Sequence, residues 1–262
     1  MDGVIDLDAV RALEQEVVAH DGGRLKLEPK TLSERGVSTA TRWDGDRLVG
    51  FAALYPFGPP DEIAGMVAPD HRRRGIGTAL LAELLPAGRK ALLVTPVGTP
   101  AGRAFAESRQ GTLSHSEHFL VLGDTPDSAE DPSITLRTAT TDDLETVRDL
   151  LRRAFDWEPP DDVLHRFGDT TQVIEQGAEP VGTLRVSRRD DWAGVYGFAV
   201  DPDHQGKGIG RDVLARTCRS LRADGVPRLT LEVETENANA LKLYTGLGFV
   251  HAAGEDYWEV SG

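Results

Sequence analysis

Apolar residues recur at helical spacing through residues 142–155, where Leu144, Val147, Leu150, Leu151 and Ala154 share one face, and short apolar or alternating runs flank that segment. From residue 134 onward the pattern predicts a short strand at 134–137, this helix with Thr141 as its N-cap, and a short helical segment at 161–167 beyond Glu158-Pro159-Pro160. A hairpin of strands 172–176 and 181–187 follows, then a strand at 195–200, a long helix at 209–223, a strand at 229–233, a helix at 237–247, and final strands near 249–252 and 257–260. The first half follows the same order with losses. It has a helix near 7–19, a hairpin across Asp44-Gly45-Asp46, a strand at 63–67, a shorter helix ended by Pro86 and Gly88, and a strand at 91–94, without a recognisable first strand. The fold class this predicts is α/β, mixed and of the α+β type, in two tandem domains that each carry a mixed central sheet flanked by helices. Residues 1–123 and 134–262 form the domains, and the acidic, Pro-bearing stretch 124–133 reads as their linker.

The strongest signal for tandem organisation is a phrase written twice. Val67-Ala68-Pro69-Asp70-His71-Arg72-Arg73-Arg74-Gly75-Ile76-Gly77 returns as Val200-Asp201-Pro202-Asp203-His204-Gln205-Gly206-Lys207-Gly208-Ile209-Gly210. Each copy runs from a strand through a Pro-Asp turn and a Gly-x-Gly into a helix start, at Thr78 in the first and Arg211 in the second. That geometry aims several backbone N–H groups and the positive end of a helix dipole at one spot, which suits an anion. The glycines permit close approach, while Arg72, Arg73 and Arg74, or Gln205 and Lys207, offer side-chain donors for phosphate. A Walker-type nucleotide loop does not fit, because the residues after the second glycine are Thr78-Ala79 and Arg211-Asp212.

Composition narrows the function. A formal net charge of -14 argues against general nucleic-acid binding, since the cations near the glycine turns are local. The single cysteine, Cys218, excludes an intrachain disulfide and reads as a small buried helix residue. No apolar stretch approaches the roughly 18 residues needed to span a bilayer, and the N-terminal residues lack a signal-peptide order, so a cytoplasmic location with no membrane partner is expected. His71 and His204 occupy matching turn positions suited to helix entry. His115 and His118 have no carboxylate-rich partner segment, so no metal site is expected.

Chemistry concentrates in the second half. Asn237 and Tyr244 lie seven apart, two turns of one helix, and therefore share a face. A phenol can protonate a leaving thiolate while remaining protonated at neutral pH, although a Tyr at such a position is commonly a rim residue of the core. Glu232 lies twelve residues before Tyr244, with Glu234 on the same strand face as a fallback; an ordinary strand carboxylate facing solvent is the alternative reading of Glu232.

With the glycine turn, the pattern Asn237-x-x-Ala240-x-x-x-Tyr244-x-x-x-Gly248-Phe249 resembles the closing motif of the GNAT acyltransferase superfamily. Its opening motif, Arg/Gln-x-x-Gly-x-Gly, occurs in both copies. The resemblance covers nearly all of the second half and most of the first. It implies that Gln205, Gly206, Lys207, Gly208, Ile209, Gly210 and Arg211 cradle the pyrophosphate of acetyl-CoA. It also implies that backbone groups of Phe198, Ala199 and Val200 pair with the pantetheine arm and polarise the thioester, with Asn237 contacting the cofactor. By the same resemblance Tyr244 protonates the departing sulfur, and Glu232 deprotonates the amine through water as in acetyltransferases similar to the ribosomal-protein alanine enzymes. In the first copy the corresponding cofactor positions are Met66, Val67, Arg72, Arg73, Arg74, Gly75, Gly77 and Thr78. The tandem architecture is similar to that of the mycothiol synthase family, with one departure: the carboxylate that family carries at the start of the strand before the glycine turn is here Gly194 or Val195.

Laying Leu92-Leu93-Val94 on Leu231-Glu232-Val233 matches Phe105 to Tyr244, Gly98 to Asn237 and Leu93 to Glu232, so the first domain is expected to lack both acid and base. The resulting expectation is an acetyl-CoA-dependent N-acetyltransferase acting on a primary amine of a small molecule in its second domain. The rival readings are a mycothiol synthase-type or protein N-terminal acetyltransferase, and a non-catalytic acyl-CoA-binding protein.

Overall fold

A computed structural model describes residues 5–27, 32, 37–56, 60–127, 129–155, 170–189 and 191–262. The helical segment expected at 161–167 lies outside them. By packing, the chain divides into two compact units: Met1–Glu117 with Ala253–Gly262, and His118–Ala252. Compact units and sequence repeats are therefore cut at different places.

The first unit begins with α1 (Leu7–Asp21), whose N-cap Asp6 accepts a hydrogen bond from the Ala9 amide. Strands β1 (Ser38–Asp44), β2 (Arg47–Tyr55) and β3 (Asp61–Val67) follow as an antiparallel meander. Next come α2 (Ile76–Leu84), β4 (Lys90–Pro96), α3 (Pro100–Ser108) and β5 (Thr112–Leu122). The final strand of the chain, β11 (Phe249–Ser261), lies antiparallel to β4, pairing Tyr257 with Val94 and Trp258 with Leu93. One face of this sheet packs on α1 through Phe51, Ala53, Tyr55, Ala64 and Met66. The other packs on α2 through Leu54, Ile63, Leu93, Trp258 and Val260. Among the described residues no strand precedes β1 in this unit.

The second unit contains β6 (Ile134–Thr138), α4 (Leu144–Phe155), β7 (Thr171–Gln176), β8 (Glu179–Arg188), β9 (Ala193–Val200), α5 (Ile209–Ala223), β10 (Leu229–Glu234) and α6 (Ala238–Thr245). Its strand order from β10 is β10-β9-β8-β7-β6, with residues 118–122 of β5 on the other side of β10. The core formed with α5 gathers Leu184, Val195, Val213, Leu214, Cys218, Leu229, Leu231, Val233 and Phe249. Burial pushes the Cys218 thiol up to about 12, as suits an inert packing residue.

Local expectations needed three corrections. The cap at the start of α4 is Thr140 rather than Thr141, because a 3₁₀ turn (Thr141–Asp143) precedes the helix and Thr140 forms a reciprocal capping box with Asp143. The two last strands are one, since Gly254 continues β11 past Val97 instead of breaking it. Strand β5 and helix α3 complete the first copy.

Asp143 ties this corner together. Arg137 donates to both its oxygens at 2.7 Å and to Glu175 at 2.7 Å, and the Thr140 amide adds a bond of 2.8 Å. The Arg137 guanidinium holds the Asp143 carboxyl well below the usual carboxylate range. A depressed folded-state pKa gives stability that is complete above the unfolded value near 4 and is lost as pH falls. The urea midpoint is therefore expected to drop as pH falls from about 5 to about 3, and Asp143→Asn is expected to flatten that dependence.

Candidate acyl-CoA sites

In both units the strand entering the glycine turn leaves its parallel neighbour. Strand β3 pairs with β4 only through Asp61, Glu62 and Ile63, and β9 pairs with β10 only through Ala193, Gly194 and Val195. Beyond these points the strands part, so the backbone of Ala64–Val67 and of Tyr196–Val200 loses a ladder partner on one edge. Such a splayed edge can receive an extended ligand by main-chain hydrogen bonding.

The glycine turns sit at the open ends of the two splays. Each passes through a 3₁₀ turn, Pro69–His71 or Pro202–His204, and enters its helix from a left-handed N-cap: Gly75 at φ 81° before α2 and Gly208 at φ 86° before α5. Neither cap supplies a side-chain hydrogen bond, so the first-turn amides of both helices face outward. A Cβ at Gly75, Gly206 or Gly208 would meet nothing within 4 Å, so these glycines are required by backbone angle, not by crowding. The copies differ two residues earlier, where Arg73 takes φ 61° and its counterpart Gly206 takes φ 75°.

Signature side chains expected at phosphate have other duties. Arg72 donates through Nε to the Val67 carbonyl at 3.1 Å and grips Asp21 with Nη1 at 2.9 Å and Nη2 at 2.6 Å. That pairing lowers the pKa of Asp21. In the second copy Gln205 donates through Nε2 to the equivalent Val200 carbonyl at 3.0 Å. Both side chains lock the strand end to the turn. Arg211 donates to the Gly246 carbonyl at 3.0 Å, at the C-terminal end of α6, and Arg74 donates to the Asp70 carbonyl at 2.9 Å. Arg73 and Lys207 stay exposed beside the amides. His71 is held between Asp70 (2.7 Å) and Asp44 (3.1 Å), which raise its pKa and make it an anchor of the turn.

In the first unit the splay opens into a cavity of about 450 Å³ lined by Ala64–Val67, Gly75–Thr78, Val94–Pro96 and Phe105. Met66, Val67, Arg72, Arg73, Gly75, Gly77 and Thr78 all line it; Arg74 does not.

The second unit carries a bulge that the first lacks. Thr183 pairs with Ala199 and Arg185 with Tyr196, so three steps on β9 oppose two on β8, and Gly197 at φ 52° and Phe198 share one partner position. Strand β3 runs in unbroken register with β2 from Glu62 to Val67. The bulge turns backbone amides near Phe198 out of the ladder. Alongside, Tyr244 is 8% exposed, and burial pushes its phenol up to about 12. Asn237 caps α6, its Oδ1 accepting from the Ala240 amide at 3.1 Å. Glu232 lies on the opposite face of β10 from the core residues Leu231 and Val233.

These registers move the comparison between copies by one residue. Leu54 pairs with Ile63 as Val186 pairs with Val195, and Ile63 pairs with Leu93 as Val195 pairs with Leu231. The helix caps Thr99 and Asn237 then coincide. A Cβ on Gly77 would touch Phe105 just as one on Gly210 would touch Leu243. The first-copy counterparts of Glu232, Asn237 and Tyr244 are thus Val94, Thr99 and Ala106, not Leu93, Gly98 and Phe105. Helix α3 has no phenol at the site corresponding to Tyr244.

Repeated splayed strands feeding glycine turns, with outward amides at the following helix, define an acyl-CoA-dependent transferase fold. The chain belongs to the acetyltransferase (GNAT) family, whose model matches residues 9–111 and 137–249. It is an acetyltransferase of the class that uses acetyl-CoA as donor. It is 31% identical to a mycothiol acetyltransferase of Nocardia farcinica, covering 94% of this chain and 91% of the relative. It is 32% identical to another from Rhodococcus opacus, covering 82% and 80%. A GCN5-related N-acetyltransferase from Sphaerobacter thermophilus shares the fold with a TM-score of 0.80 at 16% identity, covering 97% of this chain and 92% of that one. A tandem GNAT protein from the clavulanic acid biosynthesis pathway matches with a TM-score of 0.66 at 17% identity, covering 96% and 94%. Among the described residues no helix is long and apolar enough to cross a membrane, and no group of His, Cys, Asp and Glu could hold a metal ion.

Proposed function

We propose that the second unit transfers an acetyl group from acetyl-CoA to the primary amine of a small molecule, and that the first unit holds an acyl-CoA without turning it over. The observation that carries this reading is the difference between the copies. The second copy has a bulge in β9, a buried phenol on α6 and a carboxylate on β10, whereas Val94 and Ala106 stand at the corresponding side-chain positions of the first. The donor supplies a thioester activated towards amines. The amides at the start of α5 and in the Gly206–Gly208 turn bind its diphosphate, with Lys207 adding charge. Amides left without a ladder partner by the splay and the bulge, along Phe198 to Val200, stabilise negative charge developing on the thioester oxygen. Glu232 takes the amine proton through water, with Glu234 as the alternative base, and Tyr244 gives its proton to the departing sulfur. The mycothiol acetyltransferase relatives favour a small-molecule acceptor over a protein N-terminus.

The test places one strained side chain in each turn. Gly208→Val puts a β-branched residue at φ 86° beside the proposed catalytic cup and is expected to lower kcat/KM for amine-dependent thiol release by about 100-fold or more. Gly75→Val, the matched change at φ 81°, is expected to leave turnover within about threefold while weakening acyl-CoA binding to the first unit. The reverse ranking would move catalysis to the first unit.

A further inference from the structure

The cavity of the first unit is lined from both faces of its sheet. Towards α2 its walls are Ile63, Leu80, Leu81 and Leu93, all members of the core on that face. Across the gap between Ala64–Val67 and Val94–Pro96 its walls are Val17, Phe51, Ala64 and Met66, which belong to the core beneath α1. At about 450 Å³ it has the size of a pocket that encloses an organic ligand.

The second copy assigns the two ends of a bound thioester to the two faces. Tyr244 belongs to the core towards α5, and Glu232 lies on the other face of β10, so the sulfur belongs on the α5 side and the acyl group on the α4 side. In the first copy α2 stands in the place of α5, and an acyl group held in the splay points beneath α1. What it meets there is apolar. The registers match Phe51 to Thr183, Ala64 to Tyr196 and Val94 to Glu232, so a hydroxyl, a phenol and a carboxylate of the second copy are all replaced by hydrocarbon. Among the described residues that line this cavity the one carboxylate is Asp21 and the one histidine is His71. Both are engaged, Asp21 by the two nitrogens of Arg72 and His71 by Asp70 and Asp44. The α1 side of the cavity is thus built to shelter a chain and not to deprotonate an amine.

We propose that the first unit binds acyl-CoAs whose aliphatic chain is longer than acetyl, with the chain lying in the apolar chamber beneath α1. This rests on the reading that the first unit holds an acyl-CoA. Each methylene that leaves water for the chamber is worth up to about fourfold in affinity, and an acetyl group, with a single methyl, draws little of that gain. The two cups then differ in ligand as well as in chemistry: the second takes the donor that is consumed, the first a longer acyl-CoA that is kept.

The experiment is calorimetric titration of the intact chain carrying Gly208→Val, which weakens the second cup, with CoA and with its acetyl, butyryl, hexanoyl and octanoyl thioesters. Affinity is expected to rise along the series until the chamber is full, the best-fitting chain binding at least about 10-fold more tightly than acetyl. Val17→Phe fills the chamber from α1, and Met66→Gln places an amide in it. Each is expected to bring that ratio within about threefold while CoA itself binds as before. An unchanged melting temperature separates filling from misfolding, and Met66→Gln decides the matter if Val17→Phe does not fold. Affinity that is flat along the series or highest for acetyl-CoA overturns the proposal, as does a preference that survives both variants. If adding Gly75→Val abolishes CoA binding but chain length has no effect, only this inference falls; if Gly75→Val leaves binding untouched, the reading that the first unit holds an acyl-CoA falls with it.

Discussion

Tyr244→Phe is expected to lower kcat for amine acetylation by about 100- to 10,000-fold while leaving acetyl-CoA affinity nearly unchanged. The substitution removes one oxygen from a ring that stays packed in the second core, edge-on to Phe249 with ring centres 6.2 Å apart. Binding contacts are therefore conserved and only the proton donor is lost. The loss should appear in kcat and kcat/KM together, the signature of a group that acts in the transition state. Burial alone raises the phenol to about 12, so it remains protonated through the whole range in which such an enzyme can be assayed. No fall in rate assignable to Tyr244 is then expected below about pH 10, the ordinary tyrosine value. Steady-state thiol release and equilibrium binding on the same variant check both halves. A variant with full turnover would leave the phenol as a core residue and return the site to a binding role.

The second large effect concerns the end of the chain. Deleting residues 253–262 is expected to unfold the first unit, because those residues supply the neighbour of β4 along Lys90–Pro96. Trp258 and Val260 fill the core beneath α2, and the Trp258 indole donates to Thr95 at 3.0 Å. A gentler version is Trp258→Ala, for which about 3–5 kcal/mol of lost stability is expected. Calorimetry should show the transition of the first unit moving to lower temperature or vanishing. An unfolding profile indifferent to the deletion would mean that β4 can do without this partner.

The glycine turns were legible in the sequence because their chemistry is local: Pro-Asp before, glycine at left-handed positions, a helix start after. The bulk of the element order was legible for the same reason. What escaped reading depends on partners far along the chain. Nothing near Arg72 reveals that Asp21 waits for it, and Gln205 gives no sign that it will close on Val200. The match between copies slipped by one residue because Leu92-Leu93-Val94 offers no polar marker within an apolar strand. The caps Thr99 and Asn237 fix it, yet they differ in type. Thr140 and Thr141 are adjacent candidates for one cap, and only the reciprocal bond from Asp143 decides between them. The destination of β11 is set by pairing across more than a hundred and fifty positions, which local periodicity does not encode.

The position of β11 also orders events during synthesis. Residues 1–117 leave the ribosome early but must wait for the last stretch of polypeptide before β4 gains its neighbour. The later-made unit, by contrast, has all its own residues in hand sooner. For this chain the usual rule that the amino-terminal portion matures first is inverted. A nascent molecule halted before residues 253–262 are made would expose the bare edge of β4 to any passing strand.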